Sequence, residues 1–259
     1  MLSKEQLFEI SEFTRLKPHQ QEKHYIQTVL LSSLYSILSK ELVFKGGTAL
    51  FFCYGLNRFS EDLDFTVVQP IDLKKLLATL DKDLEYLGMP KRIGKINENM
   101  ISLSFKVGAE GPLYSREISR CFVDVEISKR ENVEHFDVVE IKPFYPDILP
   151  FTICIMKKEE ILAEKIRAIM TRNYARDIYD SYFLLHQGVA VDLHLINKKL
   201  SYYHKHFNKE EFLRKVHEKK ENWESELKPL IIGELPPFKD VAKKIKSIFT
   251  SFSSRTPRA

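Results

Sequence analysis

The Gly-Gly pair at positions 46 and 47 restricts the fold of this chain more than any other feature. It separates the apolar run Leu42-Val43-Phe44 from residues 48–54, whose spacing predicts a short helix. A strand that enters a tight turn and leaves as a helix accounts for both flanks. Fourteen residues then separate Gly47 from Asp62, enough for the helix and a return into a neighbouring strand. The returning segment, Asp62-Leu63-Asp64-Phe65, alternates acidic and apolar residues. On a strand that alternation puts both carboxylates on one face and both apolar side chains on the other.

This arrangement has a chemistry. Glycine lets backbone approach a ligand closely, and the N–H groups that open a helix favour a phosphate. Thr48 adds a hydroxyl to Gly46 and Gly47. Two neighbouring carboxylates repel unless a cation lies between them. Mg²⁺ takes oxygen ligands from one or two carboxylates and from substrate phosphates. A glycine turn for phosphate beside an Asp-x-Asp platform for metal therefore predicts a nucleoside triphosphate site. A third carboxylate is expected from Phe122-Val123-Asp124-Val125-Glu126-Ile127, where Asp124 and Glu126 share a strand face and both remain candidates.

The rest of the chain sets the frame. Helical spacing covers residues 22–39 and 72–87, the second opened by Asp72 and closed by Gly88. Strand-like runs occupy 100–107, 121–127 and 138–141. Pro143, Pro146 and Pro150 punctuate a transition, after which the pattern is helical. These signals predict an α+β or α/β domain over residues 1–150 and a helical domain over 151–259. With 44% hydrophobic and 29% charged residues, disordered and low-complexity classes are excluded. Cys53, Cys121 and Cys154 are few, widely spaced and set among apolar neighbours, so buried free thiols are expected in place of disulfides or a zinc site. No stretch approaches about 20 apolar residues, and residues 1–10 lack a signal-peptide core, which points to a cytoplasmic protein without a membrane span.

Charge is uneven. Residues 1–156 carry a net −3 and residues 157–259 a net +7. Lys198, Lys199, Lys205, Lys209, Arg214, Lys215, Lys219 and Lys220 cluster with Tyr202, Tyr203, His204, His206 and Phe207 interleaved. Such a segment either stacks on and neutralises RNA or forms an amphipathic helix pair with an aromatic core.

The segment GGTALFFCYGLNRFSEDLDF closely resembles the signature of the AbiEii/AbiGii-type nucleotidyltransferase toxins, a branch of the DNA polymerase β-like superfamily. A second block, Glu160-Ile161-Leu162-Ala163-Glu164-Lys165 followed by Arg172, Arg176-Asp177 and Asp180, also looks like that family. The resemblance spans roughly residues 40–185. It implies a polymerase β-like core with a small mixed sheet, followed by a helical domain. It also implies roles: Gly46, Gly47 and Thr48 for the triphosphate, Asp62 and Asp64 for Mg²⁺ or Mn²⁺, Lys165 for the nucleotide phosphates, Asp177 for completing the site. Glu126 stands where the family stretch places an acid, and Asp124 could serve instead.

The implied activity is transfer of nucleotides from a nucleoside triphosphate to an RNA acceptor, the tRNA 3′ end, arresting growth. A cognate antitoxin in a toxin–antitoxin or phage-defence operon is the implied partner. Transfer to a small molecule or a protein hydroxyl is the variant within the same chemistry. A non-catalytic nucleotide-binding defence component is the reading from another class.

Overall fold

The structure, a computed structural model, describes residues 1–251 and divides into two units. One comprises Met1–Gly55 and Phe59–Met156; the other takes Leu56–Arg58 and the chain from Lys157 onward.

The first unit contains α1 (Lys4–Thr14), α2 (Pro18–Ile37), β1 (Leu42–Lys45), α3 (Gly46–Tyr54), β2 (Leu63–Val67) and α4 (Leu73–Tyr86). It continues with β3 (Lys91–Ile93), β4 (Asn97–Glu98), β5 (Ser102–Ala109), β6 (Cys121–Ser128), β7 (Phe136–Ile141) and β8 (Phe151–Met156). Local chemistry sets the boundaries. Ser3 and Gln6 form a capping box at α1, and Pro18 starts α2 where its missing N–H costs nothing. Asp72 accepts from the Lys75 N–H at 3.1 Å, and Gly88 leaves α4 at φ +67°, as the sequence predicts.

All eight strands form one mixed sheet in the order β3-β5-β6-β2-β1-β8-β7, with β4 on β5. The pairs β2–β6 and β1–β8 are parallel and the others antiparallel. The sheet is mixed, as expected, and larger than the small one the resemblance implied. One face is apolar: Leu63 and Phe65, Val123, Val125 and Ile127, and Leu103, Phe105 and Val107 are all buried. Tyr25, Leu30 and Leu34 of α2 and Leu76, Leu80 and Leu84 of α4 join them in one core. Strand alternation therefore sends Asp62, Asp64, Asp124 and Glu126 to the opposite face.

The second unit is helical: α5 (Lys158–Thr171), α6 (Ala175–His186), α7 (Leu193–Ser201), α8 (Lys209–Glu218), α9 (Trp223–Leu227) and α10 (Phe238–Ser251). Helix α5 packs on α6, α7 and α8, while α6 packs on α9 and α10. Trp223 is core, and its indole N–H donates to the Pro236 carbonyl at 3.0 Å. Residues Leu56–Arg58 belong here although they lie between α3 and β2. The Asn57 carbonyl accepts from the Ile232 N–H at 2.8 Å, and its side-chain oxygen accepts from the Tyr179 hydroxyl at 2.6 Å.

The division falls after Met156, not at residue 150. Pro143, Pro146 and Pro150 lie in the connection between β7 and β8, so they separate two strands of one sheet. Burial of Ile153, Cys154, Ile155 and Met156 is what assigns β8 to the first unit. The cysteines are free, with Cys121 and Cys154 buried and Cys53 half-buried. Burial pushes the Cys53 and Cys121 thiols up to about 12. Among the described residues no helix is long and apolar enough to cross a membrane.

Candidate active site

The acidic face of the sheet carries one continuous row of polar residues. Asn97 pairs with Ser104, Ser104 with Glu126, Glu126 with Asp64, and Asp64 with Lys45. Five strands thus bring five side chains to adjacent positions, with cross-strand neighbours about 5 Å apart at Cβ. Asp62 is half-buried immediately before β2, and Asp124 lies two positions along β6 from Glu126. The two candidates for a third carboxylate are therefore not equivalent. Glu126 is in register with Asp64, whereas Asp124 forms an ion pair with Lys106 at 3.1 Å.

At the β1 end of the row the chain turns. Gly46 has φ +76°, the left-handed region that favours glycine. A Cβ built on it would lie 2.5 Å from Asp64 Oδ2. The absence of a side chain is thus what lets the Asp64 carboxylate reach the backbone at the start of α3. The helix opens at the glycines themselves rather than after them, and its first N–H groups have no intrahelical acceptor. Thr48 is fully buried, and its hydroxyl donates to the Asp62 carbonyl. That hydroxyl is thereby committed to the segment entering β2.

Sequence reasoning passed over Lys45 as a functional residue. It is buried, in register with Asp64, and its ammonium donates to Glu131 at 3.0 Å. Its signal is position: it is the last residue of a buried strand, immediately before the glycine turn.

A cavity of about 550 Å³ opens on the β5 side of the row. Asp62, Asp124 and Glu126 line it together with Ser104, Lys106, Gly94, Lys95 and Asn97. The β3–β4 connection contributes Gly94 and Lys95 to its wall, and the Gly94 N–H donates to the Lys106 carbonyl at 2.7 Å.

Among the described residues no three His, Cys, Asp or Glu side chains are gathered to hold a metal ion by themselves. A site that shares its ion with a triphosphate needs fewer protein ligands, one or two carboxylates being usual for Mg²⁺. Asp62 and Asp64 are the carboxylates that could supply them, and Asp64 approaches the turn that opens α3.

In the helical unit, Lys165, Asp177 and Asp180 form a buried ionic cluster. The Lys165 ammonium lies 3.2 Å from Asp177 Oδ1 and 2.7 Å from Asp180 Oδ2. Arg172 makes a two-pronged contact with Asp177, both bonds 2.8 Å. Arg58 does the same to Asp180 at 2.8 and 2.9 Å. Burial alone would raise both carboxyls. It is outweighed at Asp177 by Lys165 and Arg172, and at Asp180 by Arg58 and Lys165, so both are held below the ordinary carboxylate range. Arg58 is 2% exposed, and the sequence pattern did not identify it; its presence within the signature segment was the available signal. Arg176, the other arginine of this block, lies over the Tyr174 ring at 4.8 Å.

The basic segment of this unit is less available than its composition suggests. Lys199 is fully buried against Glu160 at 2.6 Å and Glu164 at 3.3 Å. Lys219 is buried too, and Lys205 donates to the Met170 carbonyl at 3.2 Å. Phe207 packs with Phe212 and Phe249, and Tyr203 lies under the Arg167 guanidinium at 4.6 Å. For Phe207 and Tyr203 the internal-packing alternative therefore holds.

The chain as a whole is similar to known proteins. The family described as "Nucleotidyl transferase AbiEii toxin, Type IV TA system" has a sequence model that matches residues 29–246. The nucleotidyltransferase toxin MenT4 of Mycobacterium tuberculosis has a similar structure, with a TM-score of 0.66 at 14% identity, covering 99% of this chain and 91% of that one. JHP933 of Helicobacter pylori matches with a TM-score of 0.56 at 21% identity, covering 91% of this chain and 92% of its own. At such identities the likeness is one of fold. Comparison with curated proteins gave no match.

Proposed function

The chain belongs to the AbiEii nucleotidyltransferase toxin family, and from that premise we propose that it transfers a nucleotide from a nucleoside triphosphate to RNA, at the tRNA 3′ end, with Mg²⁺ held by Asp62 and Asp64. It is a nucleotidyltransferase toxin of a toxin–antitoxin system. The observation that carries the finer reading is the approach of the Asp64 carboxylate to the Gly46 backbone. On this reading a carboxylate for the metal and a turn for the phosphates meet at one point.

In this reading the N–H groups of Gly46, Gly47 and Thr48 hold the triphosphate, aided by the positive end of α3. Mg²⁺, when bound, would screen the phosphate charge and lower the pKa of the attacking hydroxyl. The acceptor oxygen forms a bond to the α-phosphorus, the bond from that phosphorus to the bridging oxygen breaks, and pyrophosphate leaves. Glu126, in register with Asp64, takes the proton of the acceptor hydroxyl. Within the helical unit, Asp177 and Asp180 hold the Lys165 ammonium, the group that the family resemblance assigns to the nucleotide phosphates. The reaction belongs in the cytoplasm, where triphosphates and tRNA are found, and a cognate antitoxin counters it in a phage-defence setting.

The test is a transfer assay. Purified protein is mixed with total tRNA, Mg²⁺ and each α-labelled nucleoside triphosphate in turn, beside an Asp64→Ala variant. Label on tRNA with the unaltered protein alone supports the reading and names the nucleotide. Label that appears only on protein or small molecules when lysate is added overturns the RNA acceptor. Growth arrest by Asp64→Ala equal to that of the unaltered protein would overturn catalysis as the basis of toxicity.

A further inference from the structure

We infer that the cavity on the β5 side of the acidic row is the acceptor subsite, and that Lys95 and Lys106 hold the acceptor RNA there through the phosphate nearest its 3′ hydroxyl. The inference rests on the RNA reading above and adds the direction of approach and the residues that enforce it.

Sheet order supplies the direction. Along the strands β5-β6-β2-β1, Glu126 lines the cavity, and Asp64 lies between it and the glycine turn. Phosphoryl transfer places the attacking and leaving oxygens roughly in line, on opposite sides of the phosphorus. If the turn at Gly46 takes the pyrophosphate that leaves, the attacking hydroxyl has to arrive from the β5 side. The cavity of about 550 Å³ lies there. Its size is within the roughly 300–1,000 Å³ usual for small-ligand pockets, so one terminal nucleotide fits.

The lining then indicates the class of acceptor. Glu126 and Asp62 face the reacting end, while Lys95 and Lys106 stand on the β3–β4 connection and β5. The Gly94 N–H bond to the Lys106 carbonyl ties that connection down beside Lys106. A Cβ on Gly94 would meet the same carbonyl at 3.4 Å, so the two segments are in close contact. Lys106 is paired with Asp124, and Lys95 is exposed beyond it. Cations at the β5 edge of the cavity, on the far side of Glu126 from Asp64, suit an acceptor whose own negative charge follows its hydroxyl, as the phosphodiester of an RNA 3′ end does. Asn97 and Ser104, paired across β4 and β5, offer hydrogen bonds to the ribose.

The experiment measures transfer to tRNA with Lys95→Ala, Lys106→Ala and the double variant, with Lys95→Arg as the conservative control. Each alanine variant is expected to raise the KM for tRNA about tenfold. The salt dependence of tRNA binding should become shallower by about one phosphate contact per lysine. Affinity for the nucleoside triphosphate should not change, and Lys95→Arg should restore the KM. A protein that labels tRNA with the same KM in the double variant overturns the subsite and leaves the function standing. An equal rise in the KM for triphosphate would assign the lysines to the nucleotide and overturn it as well. Failure of the unaltered protein to label any RNA would remove both the RNA reading and this one.

Discussion

Gly46 and Asp64 are so close that a methyl group on the glycine would sit 2.5 Å from the aspartate Oδ2. The glycine also holds φ +76°. Gly46→Ala therefore meets two penalties, a left-handed backbone costing about 1–2 kcal/mol and the displacement of a carboxylate. Transfer activity should fall by about 100-fold, the scale of a misplaced reacting group. A calorimetric melt run alongside separates this loss from unfolding, since the expected fall in Tm is only several degrees.

Asp64→Asn keeps the shape of the side chain and removes its charge. Its Tm without ligand should stay near that of the unaltered protein. With Mg²⁺ and the triphosphate at about a hundred times Kd, the unaltered protein should gain about 2.7 kcal/mol and the variant almost none. Differential scanning fluorimetry with and without Mg²⁺ reads this directly. Equal shifts in both proteins would take Asp64 out of the metal site.

The site was more legible than its surroundings. Leu63 and Phe65 alternate with Asp62 and Asp64, and period-2 alternation fixes which side chains share a face without any knowledge of neighbouring strands. Register is different. That Glu126 rather than Asp124 stands beside Asp64 depends on how β2 pairs with β6, which spacing within either strand does not encode. The boundary near 150 differs from the division after Met156 because prolines mark turns whether they join strands or domains, and here they join β7 to β8. The fate of Arg58 was hidden for another reason. Its partner Asp180 is 122 residues away, and a lone arginine in a polar loop normally reads as surface.

The ionic cluster in the helical unit should be costly to break. Asp180→Ala leaves Arg58 and Lys165 buried without this counter-charge, a loss of about 3–5 kcal/mol by urea unfolding. The pH dependence has a definite sign. Asp177 and Asp180 titrate lower in the folded chain than in the unfolded one, so their contribution is complete above the ordinary carboxylate value of about 3.9. It is lost as pH falls below that value towards the folded pKa of each group. Asp180→Asn should flatten this acid limb.

His24 gives a second, milder pH dependence. Its ring stacks on Phe52 at 4.3 Å and meets Phe51 edge-on, and its Nδ1 is 2.5 Å from the Tyr145 hydroxyl. Burial lowers its pKa to about 3. Below about pH 6.5 the unfolded chain binds a proton here that the folded chain does not, so stability falls as pH drops from 6.5 towards 3. Urea midpoints measured between pH 7 and 5 should decline for the unaltered protein and less so for His24→Phe.

Lys199 tests how much of the basic segment is structural. Lys199→Met should destabilise the protein by about 3–5 kcal/mol, since Glu160 and Glu164 would be left buried without this partner. The exposed Arg214→Ala and Lys220→Ala should stay within about 0.5 kcal/mol of the unaltered protein. If this face also meets tRNA, those two exposed variants will weaken tRNA binding in a filter assay. Weakening by Lys199→Met alone would reflect unfolding.

Residues Leu56–Arg58 make the gene hard to shuffle. The helical unit takes a buried guanidinium from a loop encoded about 100 residues before its own first helix. Recombination at the boundary after Met156 would import an aspartate at position 180 separated from the arginine it evolved with. An exchange upstream would do the reverse. Descent with both halves together, rather than assembly from interchangeable parts, is the history this wiring favours.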